Sequence, residues 1–322
     1  MSVNRSALGG ALAVFAVLLA LAFVSDSYHL FQLTMLVVYA VAVLGMVVLT
    51  GYNGQISLGQ GAFFAIGSYA TAILMANYNW PYWATLPVAA AASALVGFLI
   101  GFPALRLGGL YLALTTFALA VAVPQVLKVD ALSGLTGGVQ GLTMDKAEPP
   151  FHLPLTGDQW IYLFTLGVGG LMFLLAWNLT RGRIGRAMMA VREQSTAAEA
   201  MGVSLAGIKT RTFAVSAMLT GVAGALSSIA VQFVAPDSFN FFLSITLFVG
   251  LVVGGVDSIP GALFGGAFIE FVPNIANDIS KAAPGVVYGA ILIGFMFLMP
   301  RGVGGLLARA LRRGRKLAAP AE

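Results

Sequence analysis

Ten apolar windows divide this chain, at residues 7–24, 31–50, 57–77, 84–103, 109–128, 160–180, 212–233, 241–256, 260–279 and 284–300. A helix needs about 20 mainly apolar residues to cross the roughly 30 Å hydrocarbon layer of a bilayer. Most of the windows meet that length, and none alternates apolar and polar residues as a barrel strand does. Backbone amides in lipid must be bonded within their own segment, so the expected fold is an all-α polytopic membrane protein of about ten transmembrane helices. Composition agrees, with 59% hydrophobic and 9% charged residues, against roughly 45–50% and 25% in a soluble domain.

Charge placement orients the spans. If every window crosses once from a cytoplasmic N-terminus, the inner segments hold Arg5, Arg106, six cations of residues 181–211 and the six Lys and Arg of residues 301–316. The outer segments hold only Lys128, Lys146 and Lys281. This positive-inside bias places both termini in the cytoplasm. The outer segments carry Asp26, Asp130, Asp145, Glu148, Asp158, Asp237 and Asp278, so the external face is expected to be acidic. Residues 129–159 form the long external loop, and residues 301–322 form a basic cytoplasmic tail suited to anionic lipid. Arg5 before an apolar run containing Ala20-Leu21-Ala22 has the outline of a cleaved export signal, but the run continues through Val24 and the first span is expected to be retained.

Several classes of chemistry are excluded. The chain has no cysteine, and His29 and His152 stand far apart, so no metal site is expected. No basic stripe with interleaved aromatics points to nucleic acid. There is no Ser-His-Asp set, no HExxH and no supported carboxylate pair. The segment from Gly202 through Gly207 to Lys209-Thr210 is one residue too long for a phosphate loop and follows no strand, so neither ATP hydrolysis nor a cofactor is expected of this chain.

Three interruptions are the candidate functional breaks. In Thr50–Ala62, Ser57 and Gln60 match a capping box, which predicts a helix starting at Ser57. At the membrane surface the break is a polar turn. Within the bilayer its backbone would have to be buried in protein or line a wet cavity, with the helix start facing a substrate carboxylate. In Gly254–Gly261, Asp257 or Ser258 is placed to cap a helix with Pro260 near its first turn. Ser133–Gly141 reads as a flexible loop. Small-xxx-small spacings such as Gly61 to Ala65, Gly221 to Ala225 and Gly261 to Gly265 fit close helix packing. Thr115 and Thr116 either bond their own helix or line a path. Glu270 is the one acidic residue deep in a window.

Residues 181–211 are the remaining anomaly, a basic stretch between apolar windows. Residues 194–201 predict a short helix that Gly202 terminates. The stretch as a whole reads as a water-facing docking surface.

The run RAMMAVREQSTAAEAMGVSLAGIKTRT resembles the signature region of permease subunits of high-affinity branched-chain amino acid importers, the Liv-type family of ATP-binding cassette transporters. Its AAEAMG is similar to a shortened form of the loop through which importer permeases contact their ATPases. The resemblance extends in order through residues 51–74, 109–120, 134–142 and 252–270. It implies an all-α permease similar to the larger vitamin-importer type, multi-pass in a bacterial-type inner membrane. The implied partners are two ATPase subunits, a second homologous permease subunit and an external solute-binding protein. Arg192, Glu193, Ala198, Glu199 and Gly202 are the implied ATPase-coupling residues. Asn53, Gln55, Ser57, Gln60, Thr115 and Thr116 are the candidate translocation pathway. The cargo is expected to be a branched-chain amino acid, with urea or a short amide as the alternative within the family. An ion-coupled secondary transporter is the alternative from another class, and it rests on Glu270 alone.

Overall fold

The computed structural model describes residues 5–104, 109–149, 154–279, 281, 283–299 and 302–305. Arg106, His152 and most of the basic 301–322 tail therefore lie outside the described residues. Helices occupy all ten apolar windows: α1 (Arg5–Val24), α2 (Ser27–Met46) continued by a π-helix (Val47–Tyr52), α3 (Gln60–Tyr78), α4 (Tyr82–Ala104) and α5 (Leu110–Leu127) come first. A short α6 (Asp130–Thr136) precedes α7 (Gly157–Arg181), α8 (Arg183–Glu193), α9 (Ser195–Ala200) and α10 (Leu205–Val231). The last three are α11 (Phe241–Gly254), α12 (Gly261–Ile279) and α13 (Pro284–Leu298). Among the described residues, six are long and apolar enough to cross a membrane: α2 with its π extension, α4, α5, α7, α10, and α13 with the turn at 302–305.

A helix that is apolar all round is stable only if it is enclosed by other helices or bathed in lipid. Both cases occur here. The α2 span is 83% buried within the chain, whereas the α13 span is 6% buried. α10 lies at the centre, packed against α2, α3 and α4, and α12 packs on α2 and α11.

Glycine sets these close approaches. A Cβ on Gly67 of α3 would overlap the Gly221 carbonyl of α10, and one on Gly224 would overlap the Phe64 carbonyl. Ser68 Oγ donates to the Gly224 carbonyl at 2.6 Å across the same seam. On the other side of α10, Gly221 faces Ser93 of α4, and Gly265 of α12 faces the Gly250 carbonyl of α11. Without a hydrophobic force between helices in lipid, such backbone contact and its hydrogen bonds supply the association.

The segment after α5 departs from the flexible loop expected at 133–141. α6 ends at Thr136, whose Oγ1 donates to the Leu127 carbonyl at 2.8 Å, and Gly137 follows at φ +71°. A 3₁₀ turn (Gly138–Gln140) leads to β1 (Leu142–Thr143), which pairs antiparallel with β2 (Phe233–Val234). Lys128 and Asp237 add an ion pair at 2.5 Å. The glycines there serve a tight chain reversal held by a strand some 90 residues away in sequence, which local composition does not reveal.

Candidate coupling and translocation site

The basic stretch 181–211 holds two helices, one more than the sequence predicts. The α7–α8 corner is tight, because a Cβ on Gly185 would overlap the Thr180 carbonyl. α8 then buries Gly185, Met188 and Val191 and turns its charged face outward. The three-residue spacing of those positions was the available signal for this helix.

α9 follows after one residue, and its end matches expectation. Gly202 adopts φ +83°, Val203 N–H donates to the Ala198 carbonyl at 3.0 Å, and Gly202 N–H donates to the Glu199 carbonyl at 2.9 Å. This is the Schellman bond pattern, which only a residue at ease in the left-handed region completes without strain. The turn pushes Met201 outward to 85% exposure beside exposed Glu199 and Gly202, while exposed Glu193 ends α8. Ala198 is buried within the chain, so its part is to seat α9 rather than to touch a partner.

Arg192, expected as a coupling residue, is exposed but also bonded within the chain. Its guanidinium Nη1 donates to the Gly51 carbonyl and to Asp257 Oδ1. Asp257 therefore does not cap α12. Ser258 does, its Oγ accepting from Gly261 N–H at 3.1 Å.

The break after α2 starts beside Arg192 and runs into the middle of the bundle. The π-helix ends at Tyr52, and Thr50 Oγ1 donates to the Gln55 carbonyl at 2.9 Å. Asn53 Nδ2 donates to Gln55 Oε1 at 2.6 Å, both side chains being buried. Residues 53–59 are then non-helical, and α3 begins at Gln60 rather than at Ser57. The predicted capping box does not form. Ser57 Oγ accepts from Gly59 N–H at 3.2 Å, and Gln60 reaches α10 instead. Gln60 Nε2 donates to Ser216 Oγ at 2.9 Å, and its Oε1 accepts from Thr220 at 2.7 Å. Burial explains the choice: hydroxyls at this depth have no water to bond, and one amide satisfies two of them.

Ser216 and Thr220 lie about 16 to 23 Å along α10 from Leu205, at 1.5 Å per residue. α3 therefore starts near the middle of a spanning helix. α11 is short and starts at a similar level, since Ser244 Oγ accepts from Gly61 N–H at 2.9 Å. α5 closes the group: Thr116 Oγ1 accepts from Leu58 N–H at 3.0 Å and donates to its own Leu112 and Ala113 carbonyls at 3.0 Å. Phe117 and Phe241 meet edge to face at 5.3 Å. Two helix starts with their positive dipole ends thus converge on one region.

Of the six candidate pathway residues, Asn53, Gln55, Ser57, Gln60 and Thr116 are buried and engaged within the chain. Thr115 is exposed, and its hydroxyl bonds the Tyr111 carbonyl at 2.9 Å. Ile56 is exposed between Gln55 and Ser57, so the outward side of the break is apolar. Replacing Gln60 with leucine is expected to cost about 1 to 2 kcal/mol, from two interhelical bonds at roughly 0.6 kcal/mol each plus the stranded Thr220 hydroxyl, Ser216 keeping its bond to the Gly45 carbonyl. Reversible unfolding in mixed micelles measures it. An unchanged apparent KM for transported solute alongside that loss separates packing from substrate contact.

Glu270 is half-buried on α12 and forms no ion pair among the described residues. No group of three metal-ligating side chains occurs among those residues either.

The family described as branched-chain amino acid transport system / permease component matches residues 28–299. The chain is 29% identical over 295 residues to the high-affinity branched-chain amino acid transport system permease protein LivM of Salmonella typhimurium, covering 84% of this chain and 68% of that one. It is 27% identical over 307 residues to the corresponding permease protein BraD of Pseudomonas aeruginosa, covering 87% and 97%. The probable permease protein LivH of Methanocaldococcus jannaschii is 26% identical over 270 residues, covering 80% and 85%. No solved structure matches the chain. The all-helical architecture, its membrane-crossing helices and the match over most of the sequence agree: the chain is a multi-pass membrane protein and belongs to the branched-chain amino acid transport system permease family.

Proposed function

We propose that this chain is one permease subunit of an ATP-binding cassette importer that carries branched-chain amino acids across a bacterial-type inner membrane. In this reading all ten long helices cross the bilayer and both termini lie in the cytoplasm, in an arrangement similar to the larger vitamin-importer permeases. A second homologous permease completes the pore, two ATPase subunits bind the cytoplasmic face, and an external binding protein delivers cargo to the acidic outer face.

The observation that carries the reading is α9. A single-turn helix closed by a left-handed glycine presents Met201, Glu199 and Gly202 within the stretch 181–211 that carries six cations. The permease brings no nucleotide loop of its own, so a docked ATPase must supply the free energy. ATP closure then biases the bundle between two packed states. The convergence of α3, α5 and α11 is the proposed path, its outward side formed by Ile56 and Thr115. The pathway role of Asn53, Gln55, Ser57, Gln60 and Thr116 becomes one of holding that wall in shape.

Cargo is tested through the binding protein that stimulates this transporter. Leucine, isoleucine or valine is expected to raise its melting temperature and to support uptake into proteoliposomes, while urea does neither. Preference for urea or a short amide would transfer the chain to the other branch of its family. Uptake driven by an ion gradient without ATP would replace the importer with a secondary transporter.

A further inference from the structure

We propose that Arg192 and Asp257 are positioning residues that carry movement of the α8–α9 element to the break after α2. The proposal rests on α9 being the docking element, and it names what that element moves.

One side chain joins three segments. Arg192 stands next to last in α8, Gly51 lies in the π-helix that ends α2, and Asp257 lies in the loop from α11 to α12. A π turn leaves backbone groups out of the regular helical ladder and is common where function needs an irregular helix. Here the Gly51 carbonyl accepts from the guanidinium that also holds Asp257. Both bonds come from one nitrogen, Nη1, whose two N–H groups are fixed in the plane of the guanidinium and so hold the carbonyl and the carboxylate in one geometry.

Packing makes the joint stiff. Gly54 has φ +72°, and a Cβ there would stand 2.9 Å from Arg192 Cγ. A Cβ on Gly51 would overlap the Val256 carbonyl. The turn after α13 abuts the same loop, since a Cβ on Gly302 would lie 2.5 Å from Gly255 N. Two of these contacts are backbone against backbone and the third sets Gly54 against the stem of Arg192, so displacement of α8 is passed on to residues 51–54 and 255–257 rather than absorbed, because packed interfaces shift between discrete arrangements. From residue 54 the chain runs directly to the buried start of α3.

The ion pair is partly wet, with side-chain exposures of 36% for Arg192 and 68% for Asp257. Pairs this exposed contribute little to stability. Their removal is therefore expected to change coupling while the fold persists.

The test uses the whole transporter, with its companion permease, ATPases and binding protein, in proteoliposomes. Arg192→Gln and Asp257→Asn are each expected to keep ATPase copurification and basal hydrolysis within twofold of the unaltered protein. Solute moved per ATP is expected to fall at least tenfold in each. The double variant falls no further than either single one, as for two members of one linkage. Normal transport per ATP in both single variants overturns the proposal, and additive losses in the double variant do so too. Loss of ATPase copurification assigns Arg192 to docking itself and also overturns it. If Arg192→Gln fails to fold, the more exposed Asp257→Asn decides the matter alone. An unaltered protein that neither binds ATPases nor transports removes the importer reading on which the linkage stands.

Discussion

Gly67→Leu is expected to leave little folded protein, because its Cβ would occupy the space of the Gly221 carbonyl and lie 2.6 Å from Gly221 Cα. Overpacking against side chains typically costs about 1 to 3 kcal/mol, since rotamers give way. Backbone offers no such escape. α3 would have to move away from α10, weakening the Ser68 bond to the Gly224 carbonyl and the seat of Gln60 on Ser216 and Thr220. A loss above about 4 kcal/mol follows, in the range reserved for gross packing faults. Detergent-solubilised yield and thermal unfolding measure it. Gly167→Leu on α7 is the control, since a Cβ there meets nothing within 4 Å, and its cost is expected to stay within about 0.5 kcal/mol. Equal behaviour of the two variants would refute the claim that glycine contact holds the bundle.

That seam also shows what a sequence reveals about such a fold. The apolar windows located every long helix, because hydrocarbon thickness imposes a length and lipid forbids unbonded backbone. They did not say that α2 and α10 are enclosed while α13 faces outward, since all three are apolar on every side. Gly221 was readable as a small-residue packing position, but its neighbours Gly67 and Ser93 belong to tertiary structure.

The site was legible in position more than in role. Ser57 and Gln60 did mark a helix start, yet the capping box assumed that a local backbone amide would win the Gln60 side chain. Two buried hydroxyls on α10, over 150 residues away, won it. Arg192 was legible as a charge in a docking segment. That Gly51 and Asp257 wait for it depends on α8, whose three buried positions are weak evidence among eleven residues. Gly202 was read correctly because a Schellman ending is local and needs little beyond its own turn.

Glu199→Arg combined with Gly202→Arg is expected to abolish solute uptake while leaving the permease folded. Glu199 and Gly202 are exposed, and a Cβ on Gly202 meets nothing within 4 Å, so neither change disturbs the core. At φ +83° an arginine is strained, and the lowest-cost relief is to undo the last turn of α9 and release Met201 from its outward pose. The charge reversal acts at the same tip. A hot-spot residue at an interface is worth about 2 kcal/mol or more, so the loss of even one such contact at this tip reduces ATPase affinity by roughly thirtyfold. Pull-down of ATPase subunits with tagged permease reads docking, size-exclusion elution reads folding, and ATP-dependent uptake reads function. Undiminished copurification and coupling in this variant would mean that α9 docks nothing, and the assembly would then have to be sought on another surface.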